Sequence, residues 1–114
     1  VSVKVNLCDI RGVEIAAMSG FDAVWMDLEH VPNGFHDVEA AVLTAKAYDC
    51  DIITRVSKGC YSDYIRPLEA DSTAIMIPHL MSYKEAKEIV YNSMKGNLDE
   101  NLDYRTDIGN IYEH

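Results

Sequence analysis

Basic residues are scarce in this sequence. Ten Lys and Arg stand against nineteen Asp and Glu in 114 residues, a formal charge of −9. No basic cluster or basic helical face occurs, which argues against nucleic acid and anionic membrane surfaces as partners. Long hydrophobic runs are also missing. None approaches the ~18 residues that a membrane-spanning helix needs. No charged-then-apolar leader with a small-residue cleavage site is present either, so the expectation is a soluble, cytoplasmic protein. The three cysteines, Cys8, Cys50 and Cys60, are an odd number without C-x-x-C spacing, which suggests neither a disulfide framework nor a zinc knuckle. Reduced, partly buried thiols are expected, with Cys8 held open because it falls at a predicted strand end. Finally, no G-x-G-x-x-G or P-loop follows any predicted strand, which weakens a nucleotide-binding reading.

What is present suits one globular domain with a modest core, since 48% of residues are hydrophobic and 25% charged. Strand and helix signals take turns along it. Residues 2–7 alternate as a strand, and residues 11–19 carry Val13, Ala16 and Ala17 at helical spacing before Gly20, a normal helix terminator. Residues 21–26 form a second strand. The break at Pro32-Asn33-Gly34 precedes a helix over about 37–48 with Val38, Ala41, Val42 and Ala45 on one face. A third, β-branched strand covers 51–56, and a helical pattern through Tyr64, Ile65 and Leu68 follows Gly59. The fourth strand, 72–77, stops at Pro78. Ser82 with Glu85 three residues on is a capping box opening a helix to about residue 94.

Four βα units with short connections predict an α/β fold, a parallel sheet covered by helices. Doubly wound and barrel architectures look alike at this level, but the strand ends favour a barrel. Asn6 and Cys8 follow the first strand, Asp27, Glu29 and His30 the second, Arg55 closes the third, and Pro78-His79 follows the fourth. In a (β/α)8 barrel all of these converge on one rim, where such folds place their chemistry. Singly, Asp27 reads as a turn cap, His30 as a surface histidine and Arg55 as a salt-bridged edge residue. Their joint placement makes them site candidates. Trp25 and Met26, inside a strand, read as core; His79 reads as a rim or interface residue; His36 and His114 read as surface.

The stretch Val13-Glu14-Ile15-Ala16-Ala17-Met18-Ser19-Gly20-Phe21-Asp22-Ala23-Val24-Trp25-Met26-Asp27-Leu28-Glu29-His30-Val31-Pro32-Asn33 resembles the E-[IL]-x-A-x-x-G-[FY]-D-x-[VL]-x-[IL]-D-x-E-H-x-P segment of the HpcH/HpaI aldolase family, metal-dependent pyruvate aldolases with a TIM-barrel fold. Downstream, Ile53-Thr54-Arg55-Val56, Ile65-Arg66-Pro67-Leu68-Glu69-Ala70 and Ile75-Met76-Ile77-Pro78-His79-Leu80 with Tyr83-Lys84-Glu85-Ala86 resemble three further family segments in order. About residues 6–94 are covered.

The resemblance implies a class II aldolase or lyase that makes or breaks a carbon–carbon bond of a 2-keto acid through a pyruvate enolate. A small-molecule 2-keto acid and an aldehyde would be its substrates, and a divalent metal (Mg2+, Mn2+ or Co2+) its cofactor. A homo-oligomer is implied as well. No Schiff-base lysine is required, and none of the six lysines lies in the C-terminal half of a predicted strand. His30 matches the family's base, a role suited to imidazole because that group ordinarily titrates near neutrality. Glu69 matches the carboxylate that pairs with this histidine and fixes its tautomer. Arg55 matches the arginine beside the keto oxygen, and Asp27 and Glu29 match acidic positions supporting the metal's water shell. A citrate-lyase-like or acyl-CoA lyase of the same superfamily is the enzymatic alternative, and a catalytically inactive half-barrel acting as an assembly partner is the non-enzymatic one.

The departures are specific. Asp71 stands where the family has Gly, so the loop there is expected to differ. The Y-P-P-x-G-x-R-G segment after the fourth helix has no counterpart, and neither do the family's metal ligands, a Glu and an Asp on the fifth and sixth strands. A (β/α)8 barrel takes ~250 residues, so residues 1–95 read as its N-terminal half, the first four βα units. Residues 96–114, with Asp99, Glu100, Asp103, Asp107 and Glu113 against Arg105, read as an acidic tail of uncertain structure. The expectation is a piece of a longer polypeptide, ahead of paired half-barrels or a degraded relative.

Overall fold

The computed structural model of this chain describes residues 1–95; the acidic tail over 96–114, with His114, lies outside the described residues. Four βα units follow one another: β1 (Ser2–Lys4), α1 (Ile10–Met18), β2 (Ala23–Asp27), α2 (Phe35–Lys46), β3 (Asp51–Arg55), α3 (Tyr61–Glu69), β4 (Ala74–Met76) and α4 (Tyr83–Lys95). The strands form one sheet in the order β1-β2-β3-β4, every neighbouring pair parallel. A parallel sheet in sequence order, each strand followed by a helix, is the arrangement of consecutive units in a (β/α)8 barrel. Among the described residues, no helix is long and apolar enough to cross a membrane.

Local signals account for the helix ends. The Asp9 carboxylate caps α1 by accepting from the Arg11 N–H at 2.9 Å, and Gly20, at φ +92°, turns the chain out of that helix. The Gly34 N–H donates to Asp37 at 2.7 Å at the start of α2, and the Cys60 N–H to Asp63 at 2.9 Å at the start of α3. Ser82 accepts the Glu85 N–H at 3.1 Å ahead of α4, as the capping box predicts. Strands β1 and β4 span three residues each, fewer than the sequence reading over 2–7 and 72–77. Asp71 keeps φ +72° despite replacing the family's glycine, and its carboxylate pairs with Lys46. Asp is one of the side chains that enters the left-handed region at modest cost.

The strands divide their side chains between two faces. Val24 and Met26 of β2 and Ile52 of β3 pack with Val13, Ala16 and Ala17 of α1 and with Val38, Ala41, Val42 and Ala45 of α2 to form the main core. Each fully buried Val or Ile contributes roughly 1.5–3 kcal/mol. A smaller cluster joins Val56, Tyr64 and Ile89, with Ile75 and Ile77 against it. The alternate residues Trp25, Asp27 and Arg55 turn to the sheet's other face, and register sets Lys4 beside Trp25 and Asp27 beside Arg55. Met26 is core, as read from the sequence. Trp25 is not: it is half-buried, with the Lys4 ammonium 4.7 Å and the Arg55 guanidinium 5.1 Å from its ring centre.

The thiols also depart from expectation. Cys50 is buried, and desolvation raises its pKa above the ordinary value. Cys8 and Cys60 are exposed, and Cys8 lies in the loop between β1 and α1 instead of at the strand end.

Candidate active site

Asp27 ends β2 with its side chain fully out of solvent. A buried carboxylate must be paired, and this one is paired on every side. The Arg55 guanidinium grips it in bidentate fashion, with Nε 3.0 Å from one oxygen and a terminal nitrogen on the other. Lys4 Nζ lies 3.1 Å away, and the backbone N–H groups of Glu29 and His30 donate to it at 2.9 and 3.2 Å. The Arg55 bonds above all, with those backbone N–H groups and Lys4, hold the Asp27 carboxyl far below the usual carboxylate range, although burial acts in the other direction. Asp27 is therefore the fastening that ties β1, β2, β3 and the turn after β2 together.

That turn presents Glu29 and His30. The Glu29 carboxylate meets His30 Nε2 at 2.7 Å and lies 3.9 Å from Arg55 Nε. The imidazole is 64% exposed, whereas Glu29 and Arg55 are largely covered. One ring nitrogen, Nε2, is thus held by a carboxylate, an arrangement that fixes orientation and tautomer while the other nitrogen of this largely exposed ring is left for a ligand. The Asn33 side chain donates to the Asp27 carbonyl at 3.1 Å and steadies the same turn.

His79 joins this rim from the loop after β4. Its φ is +52°, an uncommon value for a non-glycine residue, and the loop is held from several sides. Lys58 Nζ donates to the His79 carbonyl at 2.8 Å and pairs with Glu85, which itself accepts the Met81 N–H at 2.9 Å. One donor atom from each of Glu29, His30 and His79 falls within 4.8 Å of the others.

Of the residues read from the sequence, the structure gathers Asp27, Glu29, His30, Arg55 and His79, and separates Glu69. Glu69 is the exposed last residue of α3, and the chain from there reaches Thr73, whose N–H bonds the Ile52 carbonyl at the start of β3 at 2.8 Å. A helix after a parallel strand runs back along the sheet, so its last residue lies at the strands' N-terminal edge. His30 lies at the C-terminal edge, about a strand length (roughly 13 Å for five residues) away. Within this chain the carboxylate in contact with His30 is that of the adjacent Glu29, not Glu69. Lys4 was missed because its place in the middle of the predicted strand gave no sign of a strand end; in the structure it closes β1 and touches Asp27. His36 is exposed beside Glu39, as a surface residue should be.

No protein-family model and no curated protein sequence matches this chain. Solved structures do. Citrate synthase SbnG is 27% identical with a TM-score of 0.74, over 78% of this chain and 36% of that one. An HpcH/HpaI aldolase/citrate lyase family protein from Burkholderia cenocepacia J2315 is 23% identical with a TM-score of 0.74, over 80% of this chain and 36% of that one. The chain's structural neighbours are HpcH/HpaI aldolase/citrate lyase family proteins. The HpcH/HpaI aldolase from Desulfitobacterium hafniense DCB-2 extends the match to 96% of this chain and 47% of its own length, at 18% identity and a TM-score of 0.72. The chain thus spans less than half of each of these structures, and its four βα units correspond to part of the HpcH/HpaI-type barrel.

Proposed function

We propose that this chain forms part of a carbon–carbon lyase of the HpcH/HpaI aldolase type, acting on a 2-keto acid through its enolate. The observation that carries this reading is the Glu29–His30 pair standing on the Asp27–Arg55 fastening at the C-terminal rim of the sheet. The names of its neighbours, an aldolase and a citrate synthase, denote enzymes that form or break carbon–carbon bonds.

The chemistry follows from the side chains. The outward nitrogen of His30 takes a proton from the methyl group next to the keto carbon, and Glu29 at its other nitrogen holds the ring in the required tautomer. Negative charge then develops on the keto oxygen. Arg55 is a fixed cation beside this site, with Nε and one terminal nitrogen committed to Asp27 and the other terminal nitrogen left to face that oxygen. The resulting enolate carbon attacks an aldehyde, and cleavage is the reverse, with the His30 imidazolium returning the proton.

The resemblance also implies a divalent metal of the Mg2+, Mn2+ or Co2+ kind, bound by carboxylates on later strands. The donor group at this rim does not fit the first two. Mg2+ and Mn2+ favour oxygen ligands, and here two imidazoles accompany one carboxylate. A cytoplasmic location and a homo-oligomer remain part of the proposal.

The test is exchange of pyruvate's methyl protons with solvent deuterium, followed by NMR. The protein is expected to exchange them, and His30→Ala to slow the exchange by about 10²–10⁴-fold. Equal rates for the two proteins would remove His30 from the mechanism, and no exchange by the unmutated protein would overturn the reading.

A further inference from the structure

The geometry points to a binding site for a nitrogen-preferring divalent metal ion of the Zn2+ class, built by Glu29, His30 and His79. Among the described residues this is the one group of three His, Cys, Asp or Glu side chains whose donor atoms lie within 4.8 Å of one another. Two imidazoles and a carboxylate are the ligand set of zinc sites that keep a fourth position open for water, and they suit Zn2+, Ni2+ and Co2+ better than Mg2+.

The spacing is close to that required. Ligand atoms about 2.0–2.1 Å from a tetrahedral ion stand roughly 3.3 Å apart. Glu29 and His30 are at 2.7 Å, so an ion entering between them opens the pair by a fraction of an ångström. The His79 atom must come inward by up to about 1.5 Å, within reach of a side-chain rotation of an exposed residue. The backbone is ready for this: the left-handed φ of His79 and the Lys58 bond to its carbonyl hold that residue at the rim, and Asp27 holds the Glu29–His30 turn. Arg55, 3.9 Å from Glu29, is the one cation this carboxylate already faces among the described ion pairs, and its main partner is Asp27. Binding moves the neutral His30 proton to Nδ1 and gives the Nε2 lone pair to the metal. The outward nitrogen is then an N–H donor and no longer a base.

Metal capture at this site therefore switches off His30. The binding claim stands independently; only the inhibitory consequence rests on the enolate reading.

The experiment is calorimetric titration of the protein with ZnCl2, in a Cys8→Ser, Cys60→Ser background so that the exposed thiols do not compete. One site per chain is expected, unchanged by excess Mg2+, and Co2+ in its place should show the visible absorption of a tetrahedral ion. His79→Asn keeps a side chain that tolerates positive φ but removes the imidazole; with its fold confirmed by circular dichroism, it is expected to weaken Zn2+ binding at least about tenfold. Absence of a site in the background protein, or unchanged affinity in His79→Asn, overturns the proposal. Zinc binding together with no pyruvate exchange by the zinc-free protein would refute the enolate reading and leave the metal site standing.

Discussion

Replacing Asp27 with alanine removes the group on which the rim is built. The carboxylate is fully buried and receives the Arg55 fork, Lys4 and two backbone N–H groups. Its loss strands an Arg55 side chain that is only 20% exposed and leaves the Glu29 and His30 N–H groups without their acceptor. Removing one partner of a buried ion pair costs about 3–5 kcal/mol. Because Lys4 and Arg55 retain some access to water, about 3 kcal/mol is expected. For a domain of this size that lowers Tm by roughly 12–24 °C, a large share of the about 5–15 kcal/mol available. Asp27→Asn, which keeps the shape and one acceptor, is expected to cost about 2 kcal/mol. Asp27→Ala with Arg55→Leu should lose less than the sum of the single changes, since both charges leave together. The assay is urea unfolding followed by circular dichroism. A cost below about 1 kcal/mol for Asp27→Ala, at unchanged m-value, would show that water replaces these bonds and that the fastening argument is wrong.

Three further outcomes are expected. Lys58 above all, together with the Met81 N–H, holds the Glu85 carboxyl below its ordinary value of 4.5. A depressed folded-state value gives stability that is present above pH 4.5 and lost as pH falls through the lower folded value. Glu85→Gln should therefore flatten the acid limb of a stability–pH profile; an unchanged acid limb would discount the contact. At Asp71, where φ is +72°, Asp71→Ala should destabilise by about 1 kcal/mol in the same urea assay, whereas Asp71→Gly should be close to neutral; equal costs would argue against backbone strain. Cys8 and Cys60 should react with a thiol reagent in the native protein, and Cys50 only on unfolding; a fast third thiol would contradict its burial.

The architecture was legible because its signals are local. Val13, Ala16 and Ala17 mark one helical face, Gly20 and Pro78 stop elements, and Ser82 with Glu85 opens α4. Which face of the sheet a residue takes was less legible. In the continuous apolar run over 23–26 nothing separates Met26, under the helices, from Trp25, between Lys4 and Arg55. Asp27, Glu29, His30 and Arg55 were found because they crowd strand ends. Glu69 was assigned by motif alone, and the direction in which a helix returns along a parallel sheet places it at the wrong edge. His79 carried a weak signal, because its meeting with Glu29 and His30 depends on the turn after Pro78 and on Lys58 holding its carbonyl.

The replacement of Glu69 by Glu29 as the partner of His30 is the account's central structural claim, and the imidazole nitrogen shifts of His30, read by long-range proton–nitrogen NMR, test it directly. With Glu29 on Nε2, the neutral ring should carry its proton there; Glu29→Gln should shift the His30 nitrogen signals, and Glu69→Gln should leave them where they are. His30 signals that move with Glu69→Gln and ignore Glu29→Gln would contradict it.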